Sequence, residues 1–229
     1  MTMRLLRALA APLCLLALAG CQITNDERET ASIGLATRAM VARLAGAEAE
    51  PAPDARDAIT PALLGQLGTP ALLVVLQARD VGVLMVPAAI GADGTVQWRD
   101  AEGGGLLMRG GLLVGTRGFG FDLLTVDASG TRAALQRGGA SGVRRTERRL
   151  RSDNVVVRLD LRCDVLPVDT QVLGFYGQTF RTTIFEERCA GEGVRFANRY
   201  WVDATGSVRR SEVLVSPEAG VLETSLLRG

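Results

Sequence analysis

The sequence contains neither histidine nor lysine, and all 26 of its basic residues are arginine. The absence of histidine excludes a Ser–His–Asp or Cys–His catalytic arrangement and a histidine metal site. The absence of lysine excludes a Schiff-base enzyme and a phosphate-binding P-loop. Arginine stays protonated at any ordinary pH and therefore does not shuttle protons. Only carboxylates, tyrosines and cysteines remain for acid–base chemistry, and we expect no catalytic residue, metal or cofactor.

An excess of charge of either sign is also absent. The full chain has 26 basic and 25 acidic residues, and loss of residues 1–20 with their two arginines would leave 24 and 25. A nearly neutral protein has no general electrostatic attraction for nucleic acid. We therefore expect no nucleic-acid partner.

The first twenty residues have the pattern of a secretory signal. Arg4 and Arg7 form a basic start, and an apolar run over residues 8–19 follows them. Such a run is too short for a membrane-spanning helix, which needs about 20 apolar residues. The sequence therefore predicts a signal peptide over residues 1–20 that is cleaved off.

The end of this signal resembles the bacterial lipobox. Residues 18–21 read Leu-Ala-Gly-Cys, and in a lipobox the cysteine becomes the first residue and carries acyl chains such as palmitate. An aspartate after the cysteine would indicate retention at the inner membrane, but Gln22 stands there. The resemblance implies a lipid on Cys21 and a periplasm-facing protein anchored in the outer membrane. The alternative is ordinary cleavage near Ala19, which would leave Cys21 as an unmodified thiol.

Residues 21–58 predict a lipidated N-terminal helix followed by a linker. Asn25 is a suitable N-cap, acidic residues follow it in the first turn, and Gly46 can end the helix. Residues 47–56 are rich in alanine, proline and charge, a composition typical of linkers. A short helix with proline in its first turn is predicted next, over residues 60–67.

From residue 59 to residue 229 the sequence predicts a single β-rich domain. Apolar and polar residues alternate in residues 155–164, and this period of two places one face of a strand in a core and the other in water. Further runs of strand character are residues 71–77, 81–87, 95–99, 179–189, 194–203 and 207–216. We predict a mainly β fold, an antiparallel sandwich or barrel, behind the N-terminal helix.

Residues 115–120, Gly-Thr-Arg-Gly-Phe-Gly, raise the question of a phosphate-binding loop. Their spacing is GxxGxG and not GxGxxG, no lysine follows, and both flanks have the character of strands. Nucleotide-binding loops lie instead between a strand and a helix. Glycine inside strands more often marks a bulge, a bend or a close backbone approach. We therefore interpret this stretch as structural.

Three motifs occur in order over residues 70–225: a turn-and-tryptophan segment, the glycine-rich stretch ending in Asp-Leu, and a C-terminal NxYWVD…G…S…SPxxGxxE pattern. Together they resemble the YjbF/GfcB-type group 4 capsule polysaccharide lipoprotein family. The resemblance implies a periplasm-facing lipoprotein encoded among exopolysaccharide or capsule export functions, with no established enzyme activity. Among the matching residues, the ones that we expect to shape the fold are Gly115, Arg117, Gly118, Asp122, Trp201 and Asp203.

Cys163 and Cys189 remain once Cys14 is removed with the signal and Cys21 is lipidated. Two such thiols in an oxidising compartment are expected to pair. A disulfide that encloses about 25 residues contributes roughly 3 kcal/mol in the chain-entropy model. The alternative is two buried free cysteines.

Residues 144–151 carry five arginines within eight positions: Arg144, Arg145, Arg148, Arg149 and Arg151. Arginine forks match carboxylate and phosphate groups, so the run is a candidate site for an anionic polysaccharide or a lipid headgroup. The alternative is a solvated hairpin edge or loop.

Carboxylates offer the remaining candidates for catalysis, as a glycosidase pair. Glu186 and Glu187 are adjacent, and adjacent strand residues point to opposite faces, so these two cannot flank one glycosidic bond. We expect Asp122 to form an ion pair with Arg117 inside its turn, which is a structural role.

We predict an outer-membrane lipoprotein that is a non-catalytic accessory of exopolysaccharide or capsule assembly or secretion and that binds an export protein or the glycan. One alternative is a carboxylate-based polysaccharide-processing enzyme, and another is a general envelope-structural lipoprotein. The missing histidine and lysine count against the first alternative, and the three motifs count against the second.

Overall fold

The computed structural model describes residues 54–119, 121–151 and 153–228. The predicted signal peptide, the lipidated Cys21 and the predicted helix that begins after Asn25 lie outside the described residues. The end of the predicted linker lies inside them, where Ala55–Ala58 form a short helix, α1. Asp54 caps α1, its carboxylate accepting a hydrogen bond from the backbone N–H of Arg56.

In the described part of the chain, twelve strands form one antiparallel sheet that follows the chain as a meander. The order of the strands is β5-β4-β3-β2-β1-β12-β11-β10-β9-β8-β7-β6, so that β1 pairs with β12 and the two strands at the ends of the order are consecutive in sequence. The strands are β1 Ala71–Leu76, β2 Val81–Ile90, β3 Thr95–Arg99, β4 Gly105–Arg109, β5 Leu112–Arg117, β6 Leu123–Asp127, β7 Ala140–Leu150, β8 Val156–Phe175, β9 Gln178–Gly191, β10 Val194–Asp203, β11 Val208–Ser216 and β12 Gly220–Arg228.

The sheet curves until β5 and β6 lie beside each other, which makes a nearly closed twelve-stranded barrel. This confirms the predicted mainly β, antiparallel class and selects the barrel over the sandwich. Residues 156–164 form the start of β8, and from Leu159 onward the apolar positions Leu159, Leu161 and Cys163 are buried as predicted.

Apolar side chains fill the inside of the barrel. In β1 every residue is buried, because Leu72, Val74 and Leu76 contribute to the interior while the alternate positions contribute to a second core outside the wall. Other large residues of the interior are Met85, Trp98, Leu106, Leu123, Phe185, Tyr200 and Leu222.

The second core covers one outer face of the barrel. The far end of the long β8–β9 hairpin supplies Leu173 and Phe175, and Trp201 of β10 joins them. Helix α1 and a second short helix, α2 (Pro61–Gln66), pack on the same cluster. The hydroxyl of Thr60 caps α2 by accepting from the N–H of Leu63, so the proline-initiated helix was predicted correctly.

A third helix, α3 (Ser129–Gln136), packs against β7 and was not predicted. Thr131, Ala134 and Leu135 are its buried residues, spaced as one helical face. The helix has no side-chain cap and no acidic residue in its first turn. The usual signals of a helix start are therefore missing, and contact with the barrel stabilises it instead.

Candidate functional site

The barrel wall is interrupted between β5 and β6, and we call this interruption the seam. The two strands are joined by residues 118–122, yet within the described residues no backbone hydrogen bond links one to the other. The glycine-rich stretch of the second motif lies in this hairpin. Its flanks are strands, as predicted. A nucleotide-binding loop leads from a strand into the N-terminus of a helix, and this stretch instead leads from β5 into β6.

Asp122 organises the turn at the seam. One of its oxygens accepts from the hydroxyl of Thr116 at 2.7 Å and from the N–H of Phe119 at 3.3 Å, and the other accepts from the N–H of Gly118 at 3.0 Å. The hydroxyl of Thr116, which is fully buried, in turn accepts from the N–H of Leu123 at 2.9 Å. These bonds replace the missing strand pairing at this end of the seam.

Arg117 bridges the seam in a different way from the one predicted. Its Nη1 donates to the carbonyl of Thr116 at 2.6 Å and to the carbonyl of Leu124 on β6 at 3.2 Å. The predicted ion pair between Arg117 and Asp122 was wrong. The Asp122 carboxylate is turned toward the donors of its own loop, and the arginine instead satisfies carbonyls that strand pairing would otherwise satisfy.

Gly118 has a positive φ of 87°, where side chains with a β-carbon are strained and β-branched ones most of all. We expect Gly118→Val to lower the free energy of unfolding by about 1–2 kcal/mol. A β-carbon would meet only the Cα of Gly104 at 3.6 Å, so backbone strain and not crowding is the cause. Thermal unfolding of the purified protein measures the loss.

Gly118→Asn is the matched variant, because asparagine enters the left-handed region several times more readily than valine. We expect it to lose less than half as much stability. Equal losses for asparagine and valine would contradict a role based on φ.

The predicted arginine run is divided between the two faces of β7. Arg145 and Arg149 point into the barrel and are 1% and 6% exposed, while Arg144 and Arg148 are exposed on the outside. Arg151 lies beyond the strand and pairs with Asp153 at 2.9 Å. The prediction of one five-arginine anion site was therefore wrong, because the period of two sends alternate residues of a strand to opposite sides of the wall.

Inside the barrel the two buried arginines belong to a charged cluster. Nε of Arg145 donates to one oxygen of Glu147 at 2.6 Å, and Nε of Arg149 donates to the other at 2.7 Å. Nη1 of Arg145 also reaches both oxygens of Glu187, at 3.4 and 3.5 Å. Two arginines and two glutamates cancel in charge, which is what burial of ions requires.

Glu187 receives three further hydrogen bonds from neutral groups. They come from the hydroxyl of Thr131 on α3 at 2.5 Å, the amide of Asn198 at 2.8 Å and the hydroxyl of Tyr200 at 2.8 Å. Burial and the neighbouring charge of Glu187 raise the pKa of Tyr200 well above its usual value, so this hydroxyl stays a donor. Burial would lower the pKa of Arg145, but the negative charges of Glu187 and Glu147 raise it, and the guanidinium stays protonated.

The sequence did not predict this cluster, because charged residues in a strand are normally expected on its solvent-exposed face. One signal was available: Arg145, Glu147 and Arg149 alternate strictly along β7 and so share one face. The C-terminal motif also acquires a physical explanation, since its Asn198 and Tyr200 are two of the donors to Glu187.

Glu186 lies on the opposite face of β9 from Glu187, as predicted. Nε of Arg188 donates to it at 2.6 Å, and Arg199 of β10 contacts its other oxygen at 3.0 Å. The hydrogen bond from Arg188 in particular lowers the pKa of Glu186 below its usual range. The two neighbouring carboxylates are thus separated by the barrel wall.

Trp201 and Asp203 shape the fold at the end of β10. The indole of Trp201 is buried in the outer core, and its Nε1 donates to Oε1 of Gln171 at 2.7 Å. Asp203 holds the turn to β11 by accepting from the N–H groups of Thr205 and Ser207 and from Nε of Arg209. Burial tends to raise the pKa of Asp203, but these hydrogen bonds outweigh it and the pKa is lowered.

Cys163 on β8 and Cys189 on β9 stand opposite each other in the sheet and form a disulfide. Both are buried beside Leu159 and Leu161. One of the sulfurs and a Glu187 oxygen lie close together, but sulfurs that share a disulfide are not available as thiolate ligands for a metal.

A pocket of about 440 Å³ lies at the seam, on the side away from the 118–122 turn. Strands β5 and β6 form two of its walls and helix α3 forms a third. Arginines from three different elements line it: Arg109 at the end of β4, Arg132 on α3 and Arg148 on β7. We call it the seam pocket, and of the five arginines predicted for anion binding only Arg148 lines it.

None of the helices in the described part of the chain is long and apolar enough to cross a membrane.

Residues 38–227 match the sequence profile of the family described as group 4 capsule polysaccharide lipoprotein GfcB, YjbF. The chain belongs to this family. The match covers all three motifs, so the resemblance drawn from them is confirmed.

The fold is also similar to a solved structure, that of the hypothetical lipoprotein YmcC from Escherichia coli K12. The TM-score is 0.66 at 21% sequence identity, and the match covers 75% of this chain and 89% of that chain. At this identity the likeness establishes the shared fold alone. No protein with a curated description matches the sequence.

Proposed function

We propose that this member of the capsule polysaccharide lipoprotein family is held at the outer membrane, facing the periplasm, by a lipid on Cys21. It acts there as a non-catalytic accessory of capsule or exopolysaccharide assembly or secretion, by binding an export protein or the glycan. The family description and the lipobox at residues 18–21 support this role.

The non-catalytic part of the proposal rests on the burial and the hydrogen-bond partners of the candidate carboxylates. Glu187 is fully buried and accepts hydrogen bonds from four donor groups. Glu186 accepts from two arginines outside the wall, and Asp122 accepts from donors of its own turn. A glycosidase needs two carboxyl groups about 5–10 Å apart on either side of an accessible glycosidic bond. These three carboxylates serve the fold instead.

Deletion of the gene tests the role in export. We expect surface or secreted polysaccharide to fall while its cytoplasmic precursors remain, and the full-length gene to restore it. A Cys21→Ser variant should not restore it, because the protein would lose its anchor. Normal polysaccharide in the deletion strain would refute the proposal.

Catalysis is tested separately with the purified protein. The secreted polysaccharide of the same strain should keep its chain length and composition after prolonged incubation with the protein. Cleavage or modification that is lost in Glu186→Gln or Asp122→Asn would show that the protein is an enzyme.

A further inference from the structure

The seam pocket carries an excess of positive charge. Arg132 and Arg148 are exposed, and neither forms an ion pair with any carboxylate of the described residues. Arg109 is paired with Asp93 outside the pocket. The one carboxylate on the pocket wall, Asp127, accepts hydrogen bonds from Ser129, and these bonds lower its pKa. With Arg109 offset by Asp93, the two cations Arg132 and Arg148 face one anion, Asp127.

The other groups of the pocket match the chemistry of a sugar. Thr125 and Ser129 offer hydroxyls and Gln136 offers an amide, which can exchange hydrogen bonds with ring hydroxyls. Val114 of β5, which is half-buried, provides an apolar surface against which the carbon face of a ring can pack. Small-molecule pockets typically have volumes of about 300–1,000 Å³, so about 440 Å³ accommodates one or a few sugar units.

We propose that the seam pocket binds an acidic sugar unit of the polysaccharide, with Arg132 and Arg148 as the principal ligands of its carboxylate. This inference rests on the proposed function and names the chemical class of the glycan. Guanidinium groups recognise carboxylates with directed, charge-assisted hydrogen bonds, and the two arginines come from a helix and a strand that other contacts hold in place. Both β5 and β6 line the pocket, and within the described residues no backbone hydrogen bond joins the two strands.

A glycan is favoured over an anionic membrane surface by the shape of the site. The arginines line a concavity and not a flat face, and hydroxyl and amide groups lie between them. A lipid bilayer would contact such groups only at the rim. A peptide strand would pair with the free edges of β5 and β6, but these edges are only six and five residues long.

Binding is tested with the full-length protein purified from membranes in a non-ionic detergent. The probes are oligosaccharide fragments of the strain's own secreted polysaccharide, before and after chemical reduction of their carboxyl groups. Calorimetric titration should detect binding of the acidic fragments, and reduction of the carboxyl groups should weaken it at least about tenfold. Binding of the acidic fragments should also weaken as the salt concentration rises.

The double variant Arg132→Ala/Arg148→Ala should bind the acidic fragments at least about tenfold more weakly than the wild type. Arg137→Ala/Arg144→Ala is the matched control, since it removes the same charge outside the pocket, from the C-cap of α3 and from β7. It should bind as the wild type does. Both variants should keep the wild-type unfolding temperature, because all four side chains are exposed.

Five results would overturn the inference: no binding of the acidic fragments, equal binding after carboxyl reduction, wild-type binding by Arg132→Ala/Arg148→Ala, equal weakening in both double variants, or tighter binding to phosphatidylglycerol vesicles or inorganic phosphate than to the fragments. Failure of the pocket assignment can be distinguished from failure of the proposed function. If the deletion strain loses polysaccharide but Arg132→Ala/Arg148→Ala restores it fully and binds normally, the export role stands and the pocket assignment fails.

Discussion

Glu187→Gln is expected to lower the free energy of unfolding by about 3–5 kcal/mol, because it leaves two buried arginines with Glu147 as the one carboxylate of the cluster. Glu187 is an acceptor only, and all four of its partners are donors. The amide nitrogen of glutamine would face at least one of these donors in a place that water does not reach. For a domain of this size the loss corresponds to a fall in Tm of about 6–20 °C, measured by thermal unfolding.

Glu186→Gln is the matched control for this prediction. It makes the same substitution at the adjacent residue, but on the outer face, where Glu186 is 11% exposed and its partners Arg188 and Arg199 are 74% and 53% exposed. Exposed ion pairs contribute about 1 kcal/mol or less. Similar losses for the two variants would mean that the buried cluster contributes nothing beyond a surface ion pair.

Removal of the disulfide is expected to have the second largest effect. The double variant Cys163→Ala/Cys189→Ala should lose about 3 kcal/mol, the chain-entropy value for a separation of 26 residues, which corresponds to a fall in Tm of about 6–12 °C. Alanine is preferred to serine because both sites are buried in an apolar cluster, where a hydroxyl would lack a partner.

Reductant provides the control for the disulfide. Dithiothreitol should lower the Tm of the wild type toward that of the double variant and leave the variant unchanged. Polysaccharide export should persist in the variant at temperatures where it stays folded, since the disulfide has no chemical role. A wild-type protein from the periplasm with two free thiols would contradict the prediction.

Local sequence patterns predicted most of the strands because each depends on its own residues. The alternation in residues 155–164 was sufficient for the start of β8, and Thr60–Pro61 was sufficient for α2. The glycine-rich stretch was correctly interpreted as structural from its strand flanks. Its ion pair was not predicted correctly, because the partner of Asp122 depends on which way two carboxylate oxygens turn within a loop.

The helix α3 and the burial of the charged face of β7 were not predicted from local patterns. Both lie in a stretch rich in arginine and glycine, and neither has an apolar pattern strong enough to define a face. Arg145 pairs with Glu147 on its own strand, but the charge balance of the cluster also needs Glu187, from a strand 42 residues later in the chain. A local sequence pattern does not predict a contact between two residues that are 42 positions apart.

The sequence by itself determined the class of the fold, the positions of most strands, the family and the absence of histidine and lysine chemistry. These follow from residue types, their period along the chain and motif order, which are local properties. Only the tertiary structure decided that the sheet closes into a barrel, that two arginines are buried with two glutamates, and that Arg109, Arg132 and Arg148 meet at one pocket. The physical reason is that burial and charge pairing depend on which strands become neighbours, and closure of the sheet sets those neighbours across the whole length of the domain.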